Sequence, residues 1–133
     1  MRVLAITMLL GLAGGCAKSA SFPDASKEAA ALRQCFESVA PGDVPEKIKV
    51  LAPCAEKSGP ALVARLEALD PAADKVDCHA DALAGARRAV GAMQDLLKVY
   101  RRNTDTGTRA IASARNIDEG LTQLESALAV CAR

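Results

Sequence analysis

The sequence predicts an all-α protein: a small disulfide-stapled helical bundle with a long C-terminal antiparallel helical hairpin. Three observations lead there. Apolar residues recur at heptad spacing between Val76 and Tyr100, the pattern of helices packed in antiparallel bundles. The chain is rich in alanine and holds one Tyr, two Phe and no Trp. That composition suits closely packed helices. It poorly suits a β-sandwich, a sugar-stacking site or a single-strand nucleic-acid groove, which lean on aromatics. Finally, Cys35, Cys54, Cys78 and Cys131 form an even set in a small chain, which points to disulfides where the compartment is oxidising.

The first fifteen residues read as an export signal. Met1-Arg2 supplies one positive charge, and Val3 to Leu12 is an apolar run broken only by Thr7 and Gly11. Ala13-Gly14-Gly15 then places small residues before Cys16. This order of charge, short apolar stretch and small residues marks a secretory signal. The apolar run is too short to span a bilayer, which takes ~20 residues.

Leu12-Ala13-Gly14-Gly15-Cys16 resembles the lipobox that closes a bacterial lipoprotein signal. The resemblance covers the signal alone. It implies that the Cys16 thiol receives a diacylglycerol, that the chain is cut before Cys16, and that the new amine is acylated too, with palmitate-type chains. A single acyl chain binds a membrane only marginally, at ~0.8 kcal/mol per buried methylene, so two or three chains are what anchor such a protein. Ala17 stands where an inner-membrane retention aspartate would sit. The expectation is therefore a lipid anchor in the bacterial cell envelope, at the outer membrane and facing the periplasm. Domain organisation follows: 1–15 is a cleaved lipoprotein signal, 16–21 a lipidated tether and 22–133 a helical bundle domain. Five residues from Ala17 to Ser21 reach at most ~17 Å, which keeps the domain near the membrane.

Helix by helix, the first is expected from about Phe22 to Val39. Ser21 and Asp24 form a capping box, with Pro23 in the first turn. Leu32, Cys35, Phe36 and Val39 make one buried stripe, and Ala40-Pro41-Gly42 ends the helix. A second helix is capped by Asp43 with Glu46, and buries Val44, Ile48, Leu51 and Ala55. Pro53 predicts a kink or break near Ala52. Ser58-Gly59-Pro60 opens a third helix with Leu62, Leu66 and Leu69 in line. Asp70-Pro71 reads as an N-cap followed by proline at the first helical position, with a bend at Asp70.

The fourth helix is expected from about Pro71 to Arg102. Val76, Leu83, Val90 and Leu97 recur every seven residues, and His79, Ala86, Met93 and Tyr100 fill the second seam position. Beside them runs a stripe of small residues, Cys78, Ala82, Gly85, Ala89 and Ala92, which lets a second helix come close. Asn103 to Thr108 is a polar turn. The last helix runs to about Ala132, with Ala110, Ala114, Ile117, Leu121, Leu124, Leu128 and Cys131 as its seam.

Hairpin arithmetic tests the cysteines. With the turn centred between Asp105 and Thr106, Cys78 lies about 27 residues before it and Cys131 about 26 after, level at ~1.5 Å rise per residue. Cys78–Cys131 is the preferred bridge, which leaves Cys35–Cys54. The second pair is offset by roughly 7 Å along the axis of a regular hairpin, an offset that a break near Pro53 absorbs. The same heptads also permit two chains to pair, with Cys78–Cys131 between them.

Few chemistries find support. His79 is the single histidine, and Cys78 beside it points about 100° away round a helix, a poor start for tetrahedral zinc. No metal site is expected, and no cofactor beyond the covalent lipid on Cys16. Haem attachment lacks its Cys-x-x-Cys-His. His79 and Met93 stand ~21 Å apart on one helix and cannot share an iron. There is no Gly-x-Ser-x-Gly and no second histidine, so no catalytic residues are assigned and the chain is not expected to be an enzyme.

Charge is more informative. Loss of Arg2 with the signal leaves sixteen basic and sixteen acidic residues, a neutral domain that, with its location, argues against nucleic acid. Between Leu83 and Asn116, however, Arg87, Arg88, Lys98, Arg101, Arg102, Arg109 and Arg115 face only Asp95 and Asp105. Basic residues near a helix C-terminus are favoured by the helix dipole. They also make a basic hairpin tip, with Lys98, Arg101, Arg102 and Arg109 as candidate partner-binding residues for an acidic protein or anionic lipid head groups.

The expected function is a non-enzymatic adaptor or assembly factor for another envelope protein, using an apolar groove between the short N-terminal helices and the long hairpin. In anchor, size and helix content it resembles the small helical pilotin lipoproteins that help secretin rings reach the outer membrane. No pilotin motif is present to carry residues over. The alternative is a periplasmic inhibitor or immunity-type lipoprotein that blocks a toxin or hydrolase through the basic tip. A carrier of small apolar ligands would need a sizeable cavity, against which the abundant alanine argues.

Overall fold

In the computed structural model the chain is described over residues 21–39, 43–102 and 107–133. The signal segment, Cys16 and the tether up to Ala20 lie outside the described residues, as do Ala40-Pro41-Gly42 and residues 103–106, where the sequence predicts a polar turn. The α-helices are α1 (Phe22–Val39), α2 (Val44–Pro53), α3 (Gly59–Ala68), α4 (Val76–Arg102) and α5 (Thr108–Cys131). A π-helical turn, Cys54–Ser58, joins α2 to α3, and a 3-10 turn, Ala73–Lys75, precedes α4. No strand occurs among the described residues. None of their helices is long and apolar enough to cross a membrane.

The helix starts follow local chemistry. Ser21 Oγ accepts the Asp24 amide at 3.3 Å and donates to the Asp24 carboxylate at 2.8 Å, and Asp43 accepts the Glu46 amide at 3.1 Å. The two bonds from backbone amides satisfy donors that a helix start leaves open.

Two expected boundaries move. Pro53 ends α2 without ending the chain's helical course, which continues through the π-helical turn immediately after it. Ser58 is itself helical at φ −64°, ψ −40° and caps nothing. The second and third helices expected separately are therefore one continuous segment, 44–68, widened in its middle; such wide turns are a known way to seat a disruption inside a helix. The fourth helix starts later than Pro71. Leu69 leaves the helix at ψ 130° and Ala72 is extended at ψ 159°, so Asp70-Pro71 belongs to a connector rather than to a cap. Proline holds the residue before it out of helical geometry, which accounts for the bend but not for a helix start there.

The segments form an up-down-up-down bundle, and side-chain links between them show the direction. Glu28 of α1 meets Arg65 of α3 while Cys35 meets Cys54. Along α4, Arg87 reaches Glu67 and Arg101 reaches Glu56. The α4–α5 hairpin is tied by Cys78–Cys131 at one end and by Arg88–Glu119 nearer its middle. In each pair one index falls as the other rises, so neighbours run antiparallel. Both disulfides form within the chain, with Cα separations of 6.7 Å for Cys35–Cys54 and 5.6 Å for Cys78–Cys131, inside the range of roughly 4.4–6.8 Å that a disulfide needs.

Small residues close the hairpin. A Cβ on Gly120 would stand 2.6 Å from the Ala89 backbone nitrogen, and one on Gly85 would stand 2.7 Å from that of Leu124. The two backbones touch there. Cys78, Ala82, Gly85, Ala89 and Ala92 are all buried at this seam. The heptad residues do a different job. Ala86, Met93, Leu97 and Tyr100 are buried, and Val90 meets Gly59 of α3. They face the N-terminal segments and form the core with Leu32, Leu51, Leu62, Leu66, Leu121 and Leu124. Val76 is half exposed at 50% because α4 begins there.

Candidate functional site: an apolar groove at the hairpin tip

The two ends of the bundle differ. At one end α1 begins, and the Phe22 ring meets the His79 ring edge-on at 6.2 Å. His79 donates its Nε2 proton to the carbonyl of Leu66 at 2.6 Å, and its neighbour Cys78 is oxidised to Cys131. That geometry gives the histidine a structural job: it ties the end of α3, which stops two residues later, to the start of α4. No grouping of three or more metal-ligating side chains occurs among the described residues.

The opposite end carries an open groove of about 550 Å³. Phe36 and Val39 from the end of α1 form one wall, and Ala110, Ile111 and Ala114 of α5 form the other. Leu96 and Tyr100 of α4 make the floor, with Glu37 and Lys47 at the rim. The volume lies within the ~300–1,000 Å³ of preformed pockets. Its physical origin is a mismatch of side-chain size. Ala110 and Ala114 leave space where Leu121 and Leu128 fill it further along α5. Ile111 is then left 63% exposed, a large apolar side chain in water at the edge of an apolar recess.

Tyr100 is the one tyrosine of the chain and 8% exposed. Burial raises its phenol pKa above the ordinary value, because the charged form loses solvation. The Lys47 ammonium sits 5.5 Å from the centre of its ring, a cation–π contact that holds α2 over the groove floor.

The basic tip is less free than its sequence implies. Arg101 binds the Glu56 carboxylate through two nitrogens, at 2.9 and 3.2 Å. This hydrogen-bonded pair, aided by simple charge attraction, lowers the Glu56 pKa and raises that of Arg101. Arg87 and Arg88 pair with Glu67 and Glu119. Lys98, Arg102 and Arg109 instead line a separate notch with Asp95 and Ser113. The four candidate basic residues are thus divided: Arg101 serves the fold, and the other three share a cavity.

Sequence reading also missed a clamp. Arg33 of α1 donates to Asp118 at 2.6 Å, to Thr122 at 3.1 Å, and to both oxygens of Glu125 at 3.1 and 2.8 Å. Bonding to Glu125 above all pushes its pKa upward. The usable signal was on α5, where Asp118, Thr122 and Glu125 recur at helical spacing beside the apolar seam. Comparison with protein-family models, with curated proteins and with solved structures returns no match for this chain.

Proposed function

We propose that the chain is a non-enzymatic envelope lipoprotein, anchored through acylated Cys16, that serves as an adaptor or assembly factor for another envelope protein. The observation that carries this reading is the apolar groove floored by Leu96 and Tyr100 and edged by exposed Ile111. It lies at the end of the bundle away from the start of α1. Phe22 and Phe36 are fourteen residues apart, roughly 21 Å along a helix. A lipid at Cys16 would hold the other end to the membrane and leave the groove facing the periplasm. The partner would insert an amphipathic helix with spaced apolar anchors. In general form this remains the arrangement of a pilotin.

The inhibitor or immunity-type reading rests on the basic tip. With Arg101 committed to Glu56, that surface is weaker than the groove. Steering by Lys98, Arg102 and Arg109 would make such binding fall as salt rises.

The test is a cross-linking pull-down from the protein's own cells, wild type against Ile111→Asp, read by mass spectrometry. Enrichment of one envelope protein by the wild type, lost in the variant, supports the reading. A secreted toxin or hydrolase retained by Ile111→Asp would transfer support to the inhibitor. Lipidation is checked by radiolabelled palmitate, which the wild type incorporates and Cys16→Ser does not.

A further inference from the structure

The notch where α4 ends and α5 begins is a different kind of site from the groove. Lys98 and Tyr100 are two residues apart, which turns their side chains about 200° round α4, so notch and groove open on opposite sides of the hairpin. The notch holds about 290 Å³. Lys98 and Arg102 reach it from the last turns of α4, Val99 and Ala112 give it an apolar wall, and Asp95 is the one carboxylate of its lining. Arg109 also lines it but is already engaged with another group. The cations open to a ligand are therefore Lys98 and Arg102, which form no ion pair or hydrogen bond with any described residue.

Ser113, at the inner side of the notch, is the residue that points to a ligand. It is 9% exposed and is the sole polar residue in the buried set among the described residues. Its hydroxyl makes no hydrogen bond to any described residue, whereas Ser38 on α1 donates to the carbonyl of Gln34 one turn back. A buried hydroxyl left without a partner is costly. Alanine here would remove that cost and favour the helix. Serine at 113 is thus a loss to the fold that a bound hydrogen-bond acceptor would offset.

We propose that this notch binds a carboxylate carried on a short apolar stem. Lys98 and Arg102 against Asp95 leave one positive charge, which one carboxylate matches. A phosphate monoester, at roughly −1.5 to −2, would leave negative charge uncompensated, and a neutral ligand would leave the cations unmatched. The donors suit the same group. The Arg102 guanidinium can take both carboxylate oxygens, Lys98 supplies a point charge, and the Ser113 hydroxyl donates to an oxygen from within. Val99 and Ala112 then receive the stem. Small monocarboxylic acids and polypeptide C-termini both carry this chemistry. The inference stands on the notch alone and does not depend on what occupies the groove.

The full chain, purified in detergent, is titrated by NMR with propionate, with acetyl-alanine as a chain terminus, and with acetyl-alanine amide, which lacks the charge. Ligands of this size bind weakly, and NMR follows weak binding. Saturable shifts of the amides around Ser113 are expected with the acids and not with the amide. Arg102→Gln should weaken binding ~10-fold and Ser113→Ala ~3- to 10-fold, in line with charged and neutral hydrogen bonds. The same Ser113→Ala should raise the denaturant midpoint, and Asp95→Asn should tighten binding several-fold. A damaged fold would produce neither gain. Binding of both acids with this variant pattern supports the carboxylate site; binding of acetyl-alanine alone assigns it to chain termini, and of propionate alone to small acids. Binding of neither acid, equal binding of the amide, tighter binding of inorganic phosphate than of either acid, or affinities that Arg102→Gln and Ser113→Ala leave unchanged overturn the proposal.

Discussion

The seam between α4 and α5 and the interface between that hairpin and α1 are built on opposite plans. The first is closed by glycine and alanine until backbone touches backbone. The second is bridged by large side chains and by Arg33, and it leaves the groove open at its far end. A seam without side-chain volume has nothing to repack, so it holds the two helices in one register. An interface of long side chains tolerates gaps. Close backbone contact and open apolar space thus fall on different faces of the same two helices.

Gly120→Leu should rank with the largest effects. Its Cβ alone would lie within 2.9 Å of three backbone atoms of α4. The gain in helix propensity, ~1 kcal/mol over glycine, is smaller than the strain of prising two backbones apart. A loss of ~3 kcal/mol or more is expected, read as a lowered denaturant midpoint. Tolerance of leucine at 120 would refute the tight seam.

Next come the disulfides. Cys78–Cys131 closes 53 residues and Cys35–Cys54 closes 19. By chain entropy the paired serine replacements should cost about 4 and about 3 kcal/mol respectively. A reversed order would mean that the denatured chain, or strain in the folded one, outweighs loop length.

Removal of the α1 clamp should matter less. Arg33→Gln is expected to cost about 1 kcal/mol, since the carboxylates it leaves regain water but several bonds go together. Smaller still is the effect of filling the groove. Ala114→Leu should change stability by less than ~0.5 kcal/mol while blocking partner recovery. Equal damage from Ala114→Leu and Gly120→Leu would erase the contrast between the two interfaces.

The finest test is pH. Glu56 is held below its ordinary pKa by Arg101. Its contribution to stability is therefore present above the pKa of an unpaired glutamate and is lost as pH falls through the lowered value. Arg101→Gln should raise the Glu56 titration midpoint seen by NMR. At the other extreme Tyr100, with its raised pKa, should ionise only above the ordinary value of about 10, and the fold should lose stability as pH climbs past it.

Much of this was legible residue by residue. The small stripe from Cys78 to Ala92 announced a close helix partner, and the count of residues either side of Asp105 placed Cys78 level with Cys131. Other features were not legible. Gly120 sits within an ordinary helical sequence, and only its opposition to Ala89 shows why a side chain is excluded. Asp70-Pro71 has the composition of a helix start, yet the chain must first turn to bring α4 under α3. Arg33 and its partners are at least 85 residues apart in sequence.

Helix content, most positions of the buried stripes and the pairing of the cysteines came from the sequence by itself, because each depends on spacing along one helix or on rise per residue. Which stripe of α4 faces which neighbour, the division of the basic tip between Glu56 and the notch, and the groove's existence were decided only by tertiary structure. Those features depend on which side chains stand opposite one another. Periodicity describes one helix at a time and carries no information about the surface across from it.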